Sequence, residues 1–394
     1  MSDRNAVTNT ESPSAAPFFP IITPHTATNG INSTIRPIDM RRNNASLVFS
    51  TLFPDRQLSR ADIARATGLS RVVVSEAAAT LISKGFIREV GPQPSSGKGP
   101  GKRGTLLGTN PERLRLLSID LSQPHLIQGA ILNLFGQTIT RAEITLGASD
   151  QFTVSDVDDL IAQLLRSGQH PVGIGIAAPG VVKNESNVLS YTYSQWHNTD
   201  LREPIEQKFG IPTTVNNDAA SALMAERCFG QGGPNLLFIQ LARGVGSALL
   251  INDMRVAGSN YAVGEIGHIP VRQDGPQCSC GRHGCLDAII GTPVLRARMQ
   301  GHPSDCERII AQAGRDLAAA LSMPVAMLDI DDICVYGPSD IVNDTFISAA
   351  QQQLTRDTTS VLHPRTVIRR CQIGGDIVIR GELIPILQMS LSRL

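Results

Sequence analysis

The chain has 394 residues, too many for one compact core, and its 41% hydrophobic and 18% charged content is that of a globular protein rather than a disordered or membrane-embedded one. The formal net charge is zero but unevenly spread: residues 36–108 carry 12 Lys+Arg against 5 Asp+Glu (+7), residues 1–35 are net −1, and the remainder is therefore net −6. A basic front end on an acidic body points to a nucleic-acid-binding module joined to a separate domain.

No run of 18 apolar residues suggests a membrane span, and the first residues lack a basic-then-apolar signal pattern, so a cytoplasmic protein is expected. Residues 1–35 are rich in Ser, Thr, Asn and Pro without periodicity and read as a disordered tail. "PIDMRRNNASLVFSTLF" predicts a first helix, with Ile38, Leu47, Val48, Thr51 and Leu52 at helical spacing.

In "LSRADIARATGLSRVVVSEAAATLISKGFIREVG", Ser59 caps a short helix and Gly68 supplies a tight turn. Ser70 then caps a second helix that buries Val73, Val74, Ala77, Leu81 and Ile82. Helix, turn, helix is a plan that lays its second helix in the DNA major groove. "GFIREVG" and the return through "PQPSSGKGPGKRGTLLG" form a wing, which makes 36–108 a winged helix-turn-helix domain. The residues expected at DNA are Arg60, Ser70, Arg71 and Ser75, with Lys98, Lys102 and Arg103 in the wing.

From residue 109 to 394 strands and helices alternate. "LRLLSIDLS", "IQGAILNLFG", "QTITRAEITL", "VGIGIAAPG", "LLFIQLARGVGSALLIND" and "DICVYG" predict strands. "VSDVDDLIAQLLRSG" and "CERIIAQAGRDLAAALSMPVAML" predict helices. This is an α/β body in two halves.

Of seven cysteines, Cys228, Cys306, Cys334 and Cys371 stand singly among apolar neighbours, so a disulfide framework is not expected. The other three, with a histidine, make His268-x9-Cys278-x-Cys280-x4-Cys285. One imidazole and three thiolates is a closed tetrahedral set for a structural Zn2+, with no position left for a catalytic water. A redox site would favour C-x-x-C, which is absent.

The stretches "GEIGH", "CSCGRHGCLD", "APG" and "NND", behind a helix-turn-helix, resemble the ROK family of repressors, open reading frames and sugar kinases. The resemblance implies a two-lobed hexokinase/actin-like body with a sugar in the cleft. It implies that Asn217, Asp218, Glu265, His268 and Asp287 face sugar hydroxyls, His268 serving the metal as well. Asp287 departs from the family's usual Glu. A helix-turn-helix in front is similar to the repressor branch of that family.

Kinases of this family carry D-x-G-G-T on the first hairpin, where backbone amides wrap ATP phosphates. Here "IDLSQPH" keeps Asp120 but replaces Gly-Gly-Thr by Ser122, Gln123 and Pro124. The second phosphate loop survives in part as "ARGVGS", and Gly337-Pro338 stands for a Gly-Gly. No catalytic residue is therefore assigned. The expected function is a DNA-binding repressor of carbohydrate-related genes, a homodimer or homotetramer that binds operator DNA and a sugar or sugar-phosphate effector. The alternatives are a sugar kinase with a DNA-binding appendage and a regulator controlled by a protein partner.

Overall fold

Three helices lead the chain: α1 (Pro37–Leu52), α2 (Arg60–Thr67) and α3 (Arg71–Ser83). The computed structural model describes residues 37–93, 104–147, 151–190, 197–358 and 366–394. The tail expected at residues 1–35 and the wing residues Lys98, Lys102 and Arg103 lie outside them.

Both short helices start at serine caps. Ser59 Oγ accepts from Asp62 N, and Asp62 reaches back to the Ser59 backbone in a capping box. Ser70 Oγ accepts from Val73 N. Between the helices Gly68 sits at φ 72°, in the left-handed region where a Cβ would be strained. Strand β1 (Leu58–Ser59) pairs with β3 (Thr105–Thr109), which pairs with β2 (Ile87–Pro92).

In α1 the buried residues include Ala45, Val48, Phe49 and Leu52, whereas Ile38 is 48% exposed and does not join the expected stripe. Phe49 packs on Phe53 and Phe86. Phe53 in turn meets Phe229 edge-on with ring centroids 5.8 Å apart, so this core is continuous with that of the body.

The body repeats one plan twice. Strands β4 (Leu116–Asp120), β5 (Leu126–Leu132) and β6 (Thr138–Thr145) run antiparallel. Helix α4 (Val154–Leu165) lies on β5 and β6. It buries Val157, Leu160, Ile161 and Leu164, a helical i, i+3, i+4, i+7 stripe. Strand β7 (Ile174–Ala178) then lies parallel to β4. The strands β8 (Val181–Lys183), β9 (Asn187–Ser190) and β10 (His197–Asp200) form a small separate sheet. After α5 (Arg202–Phe209) comes β11 (Thr213–Asn217), which completes the order β11-β7-β4-β5-β6. Helix α6 (Asp218–Phe229) leads into the second half.

There β12 (Leu236–Leu241), β13 (Val245–Ile251) and β14 (Met254–Arg255) are antiparallel. The helices α7 (Leu286–Ile290), α8 (Thr292–Gly301) and α9 (Cys306–Leu328) follow. Strand β15 (Asp332–Tyr336), helix α10 (Asp344–Thr358) and strand β16 (Val367–Arg370) complete the order β14-β13-β12-β15-β16. Parallel strands such as β4, β7, β12 and β15 read as nearly unbroken apolar runs because both faces are covered.

Two closing helices, α11 (Ile377–Gly381) and α12 (Leu383–Leu391), return to the first half. The first packs on α6, and the second on β4, β7 and β11 and also on α1. Arg42 Nε of α1 donates to Leu394 O at 3.0 Å.

Cys334 and Cys371 do not stand alone as the sequence suggests. Parallel pairing of β15 with β16 brings them to buried Glu226 of α6, where Cys371 Sγ lies 3.2 Å from Glu226 Oε2 and Arg369 Nη1 donates to Oε1 at 2.7 Å.

Candidate functional site: a cleft beside a cysteine-histidine cluster

The parallel strands of both sheets end at one cleft, the crevice where α/β folds place ligands. Its volume is about 980 Å³, and its lining includes Asn217, Asp218, Gln240, Glu265, His268 and Asp287. The structure thus brings all five residues expected at a sugar into one cavity.

Asn217 ends β11 and caps α6, its Oδ1 accepting from Ala220 N at 2.9 Å while its Nδ2 donates to Gly180 O at 2.9 Å. This fixes the first residue of α6, Asp218, at the cleft floor. Asp218 Oδ2 accepts from Gln240 Nε2 at 2.7 Å, and Oδ1 from Asn217 Nδ2 at 3.2 Å. Burial, aided by the charge of Asp120, pushes the Asp218 carboxyl up to about 7.

Behind the floor lies Glu382, fully buried at the junction of α11 and α12. Asn216 Nδ2 donates to its Oε2 at 3.1 Å, and Ser221 Oγ touches its Oε1. Ser221 has a single proton and also lies 3.0 Å from Asn217 O. A neutral Glu382 that donates to Ser221 Oγ lets the serine serve Asn217, and burial pushes the Glu382 carboxyl up to about 8.

Across the cleft, Asp287 Oδ1 accepts from Val245 N at 2.7 Å. A Cβ on Gly267 would fall 2.0 Å from that oxygen, so only glycine admits this docking. Glu265 and Asp287 are both pushed up by desolvation.

His268 stands between the cleft and the thiols. Its Nδ1 is 3.5 Å from Cys278 Sγ, and its Nε2 is 3.9 Å from Glu265 Oε2. Cys280 Sγ and Cys285 Sγ are 3.6 Å apart, and the four ligand atoms lie within 4.8 Å of one another, a group that could hold a metal ion. Cys280 titrates near 6, lowered first by the backbone hydrogen bond from Arg282 and then by its side chain.

The first hairpin is closed on itself. Asp120 Oδ1 accepts from Ser122 N at 2.8 Å and Ser122 Oγ at 2.6 Å, and Oδ2 accepts from Gln123 Nε2 and Gln128 Nε2, both at 2.9 Å. Gln128 is the cross-strand partner of Asp120 and receives Arg141, which donates to Asp376 at 2.7 Å.

At the expected DNA surface, Arg71 and Ser75 are exposed on α3. Ser75 Oγ donates to Arg71 O at 2.8 Å, Ser70 is occupied as a cap, and Arg60 pairs with Glu89 at 3.0 Å. Of these four, Arg71 alone has no side-chain hydrogen bond or ion pair among the described residues. Sequence reasoning missed Gln240, Gln128 and Glu382, although a glutamine inside an apolar strand run is itself a signal of a satisfied site.

The ROK family signature spans residues 117–356. Among curated proteins, the chain is 26% identical over 268 residues to the xylose repressor of Bacillus subtilis (66% of this chain, 69% of that one). It is 30% identical over 265 residues to the xylose repressor of Caldicellulosiruptor bescii (65% of each). It is 26% identical over 345 residues to the DNA-binding transcriptional dual regulator NagC of Escherichia coli (79% and 84%).

Two solved structures share the fold. A ROK family transcriptional regulator, a homologue of the E. coli MLC protein, covers 90% of this chain with 97% of its own at a TM-score of 0.75 and 20% identity. A ROK glucokinase from Streptomyces griseus in complex with glucose and AMPPNP covers 68% with 97% of its own at 0.60 and 20% identity. With its signature covering more than half of its length, this chain belongs to the ROK family.

Proposed function

We propose that the protein is a sugar-responsive transcriptional repressor in which residues 36–108 are a winged helix-turn-helix DNA-binding domain and residues 109–394 a sugar-sensing body. The names of curated relatives, xylose repressor and N-acetylglucosamine repressor, support this reading. As a repressor of carbohydrate-related genes it works in the cytoplasm. It acts as a homodimer or homotetramer, so that effector-driven closure of the cleft changes the spacing of two recognition helices on operator DNA.

One observation carries the choice of regulator over kinase: the Asp120 carboxylate is satisfied by four donors of its own chain. The Ser122 amide points to Asp120 rather than outward, and Pro124 has no N–H, so the hairpin offers a closed surface to a phosphate. The hydroxyl-binding side keeps Asn217, Asp218, Glu265, His268 and Asp287, which would hold the effector.

The metal is zinc, held by His268, Cys278, Cys280 and Cys285. Zn–S and Zn–N bonds of about 2.3 and 2.0 Å at tetrahedral angles set S···S and S···N edges of roughly 3.7 and 3.5 Å. The separations of 3.6 and 3.5 Å fit those edges. Bound there, zinc would fix the loop that carries Glu265 and His268 without taking part in any reaction.

The test is a thermal-shift screen of full-length protein against sugars and sugar phosphates, with anisotropy of an operator recovered by selection from random DNA. A sugar that both stabilises the protein and alters operator affinity is expected. Sugar-dependent release of ADP from ATP would overturn the regulator reading.

A further inference from the structure

Gln240 is 5% exposed at the cleft end of β12, and its side chain divides its hydrogen bonds unequally. Nε2 donates to Asp218 Oδ2 at 2.7 Å. Oε1 is buried and has no hydrogen-bond partner among the described residues, yet Gln240 lines the cleft. A buried, unpaired carbonyl oxygen is costly unless a ligand supplies the missing donor.

The orientation of this amide follows from its neighbour. An ionised Asp218 only accepts, so the amide nitrogen must face it and the oxygen must face elsewhere. The strand register fixes the rest: Gln240 lies between Gly246 on β13 and Tyr336 on β15, neither of which supplies a side-chain donor to Oε1.

We infer that Gln240 is a ligand-contacting residue that sets specificity, its Oε1 accepting a hydrogen from a sugar hydroxyl next to the one that Asp218 accepts. This rests on the sugar-sensing reading and extends it to the effector's chemistry and pose. Asp218 and Gln240 together offer the floor of the cleft only acceptors. The group seated there must bring two donors, as vicinal hydroxyls do, and an acceptor-only end such as a phosphate or carboxylate is turned away from it. Discrimination follows from the same physics, because a polar site left unpaired rejects an analogue lacking the hydroxyl more strongly than an apolar pocket rejects a lost methylene.

The experiment uses full-length protein, calorimetry at pH 8, and the sugar giving the largest thermal shift among glucose, xylose, N-acetylglucosamine and their phosphates, together with its monodeoxy series. Loss of one particular hydroxyl should weaken binding to the parent at least tenfold. Gln240→Met, of similar length but without hydrogen-bonding groups, should bind the parent sugar more weakly and treat that sugar and its deoxy analogue within about twofold of one another. A general loss of floor geometry would instead weaken both equally and leave the tenfold ratio in place, which overturns the inference. So does a Gln240→Met protein with unchanged affinity for every sugar. If no sugar in the panel binds the parent, the sugar-sensing reading itself falls, and this inference with it.

Discussion

Asn216 Nδ2 and Glu382 Oε2 meet at 3.1 Å, joining the strand that ends at the cleft floor to the start of α12, the helix that packs on α1. The bond links the strand behind the cleft to the closing helices through one buried carboxyl.

Glu382 titrates near 8 in the folded chain against 4.5 for an ordinary glutamate, with burial as the first cause. The folded state therefore holds this proton more tightly than the unfolded state. Its favourable contribution is complete below about pH 4.5 and is lost as pH rises to 8, at up to about 1.4 kcal/mol per unit. Glu382→Gln imitates the neutral form. Its denaturant midpoint should exceed the parent's by a margin that widens from pH 5 to 8 and then stays constant; a pH-independent difference would contradict a neutral Glu382.

Asp218, pushed up to about 7, should make effector binding pH-dependent in the opposite sense. The ionised form accepts the stronger hydrogen bond, so affinity should rise from pH 6 to 8 with uptake of the effector linked to release of at most one proton. Asp218→Asn should flatten that profile and weaken binding at pH 8 by about ten- to a hundredfold, the worth of one charge-assisted bond. Operator binding without effector should stay near the parent value. Titration calorimetry in two buffers of different ionisation enthalpy reads both.

Purified protein should hold about one zinc per chain, by elemental analysis, since four ligands close one tetrahedral site. Cys280→Ser should lose most of that metal, melt earlier and bind effector more weakly, because His268 belongs to both the thiol cluster and the cleft. Full metal content with unchanged effector affinity would remove the assignment.

Arg71, exposed near the start of α3, is the expected base-reading residue. Arg71→Ala should cost about 1–3 kcal/mol on the selected operator and relax preference at one base pair per half-site. Equal loss on every sequence would make it a phosphate contact instead. Thermal stability should be unchanged, as Arg71 is exposed.

Where local rules agree with the fold, the sequence is easily read. Ser59, Gly68 and Ser70 announce their cap, turn and cap, and α9 occupies Cys306–Leu328, the stretch its periodicity marks. The cleft residues are legible because "NND" and "GEIGH" are compact motifs. Residues that act through distant partners are not. Nothing near Glu382 in sequence indicates Asn216 or Ser221, and the apolar run around it looks alike as buried helix or strand. Ile38 fails for another reason: helical spacing says which residues share a face, but not how far along the helix its partner extends.

The closed hairpin at Asp120 also bears on how the protein could be re-engineered or could drift. Restoring Gly-Gly-Thr at positions 122–124 would remove two side-chain donors but leave Gln128 on the carboxylate, itself held by Arg141, which Asp376 holds in turn at the start of α11. On the regulator reading proposed above, Gly-Gly-Thr at 122–124 alone would leave Asp120 held by Gln128. In the proposed regulator, the aspartate of the first hairpin would thus stay occupied by its own chain even after its turn is rebuilt.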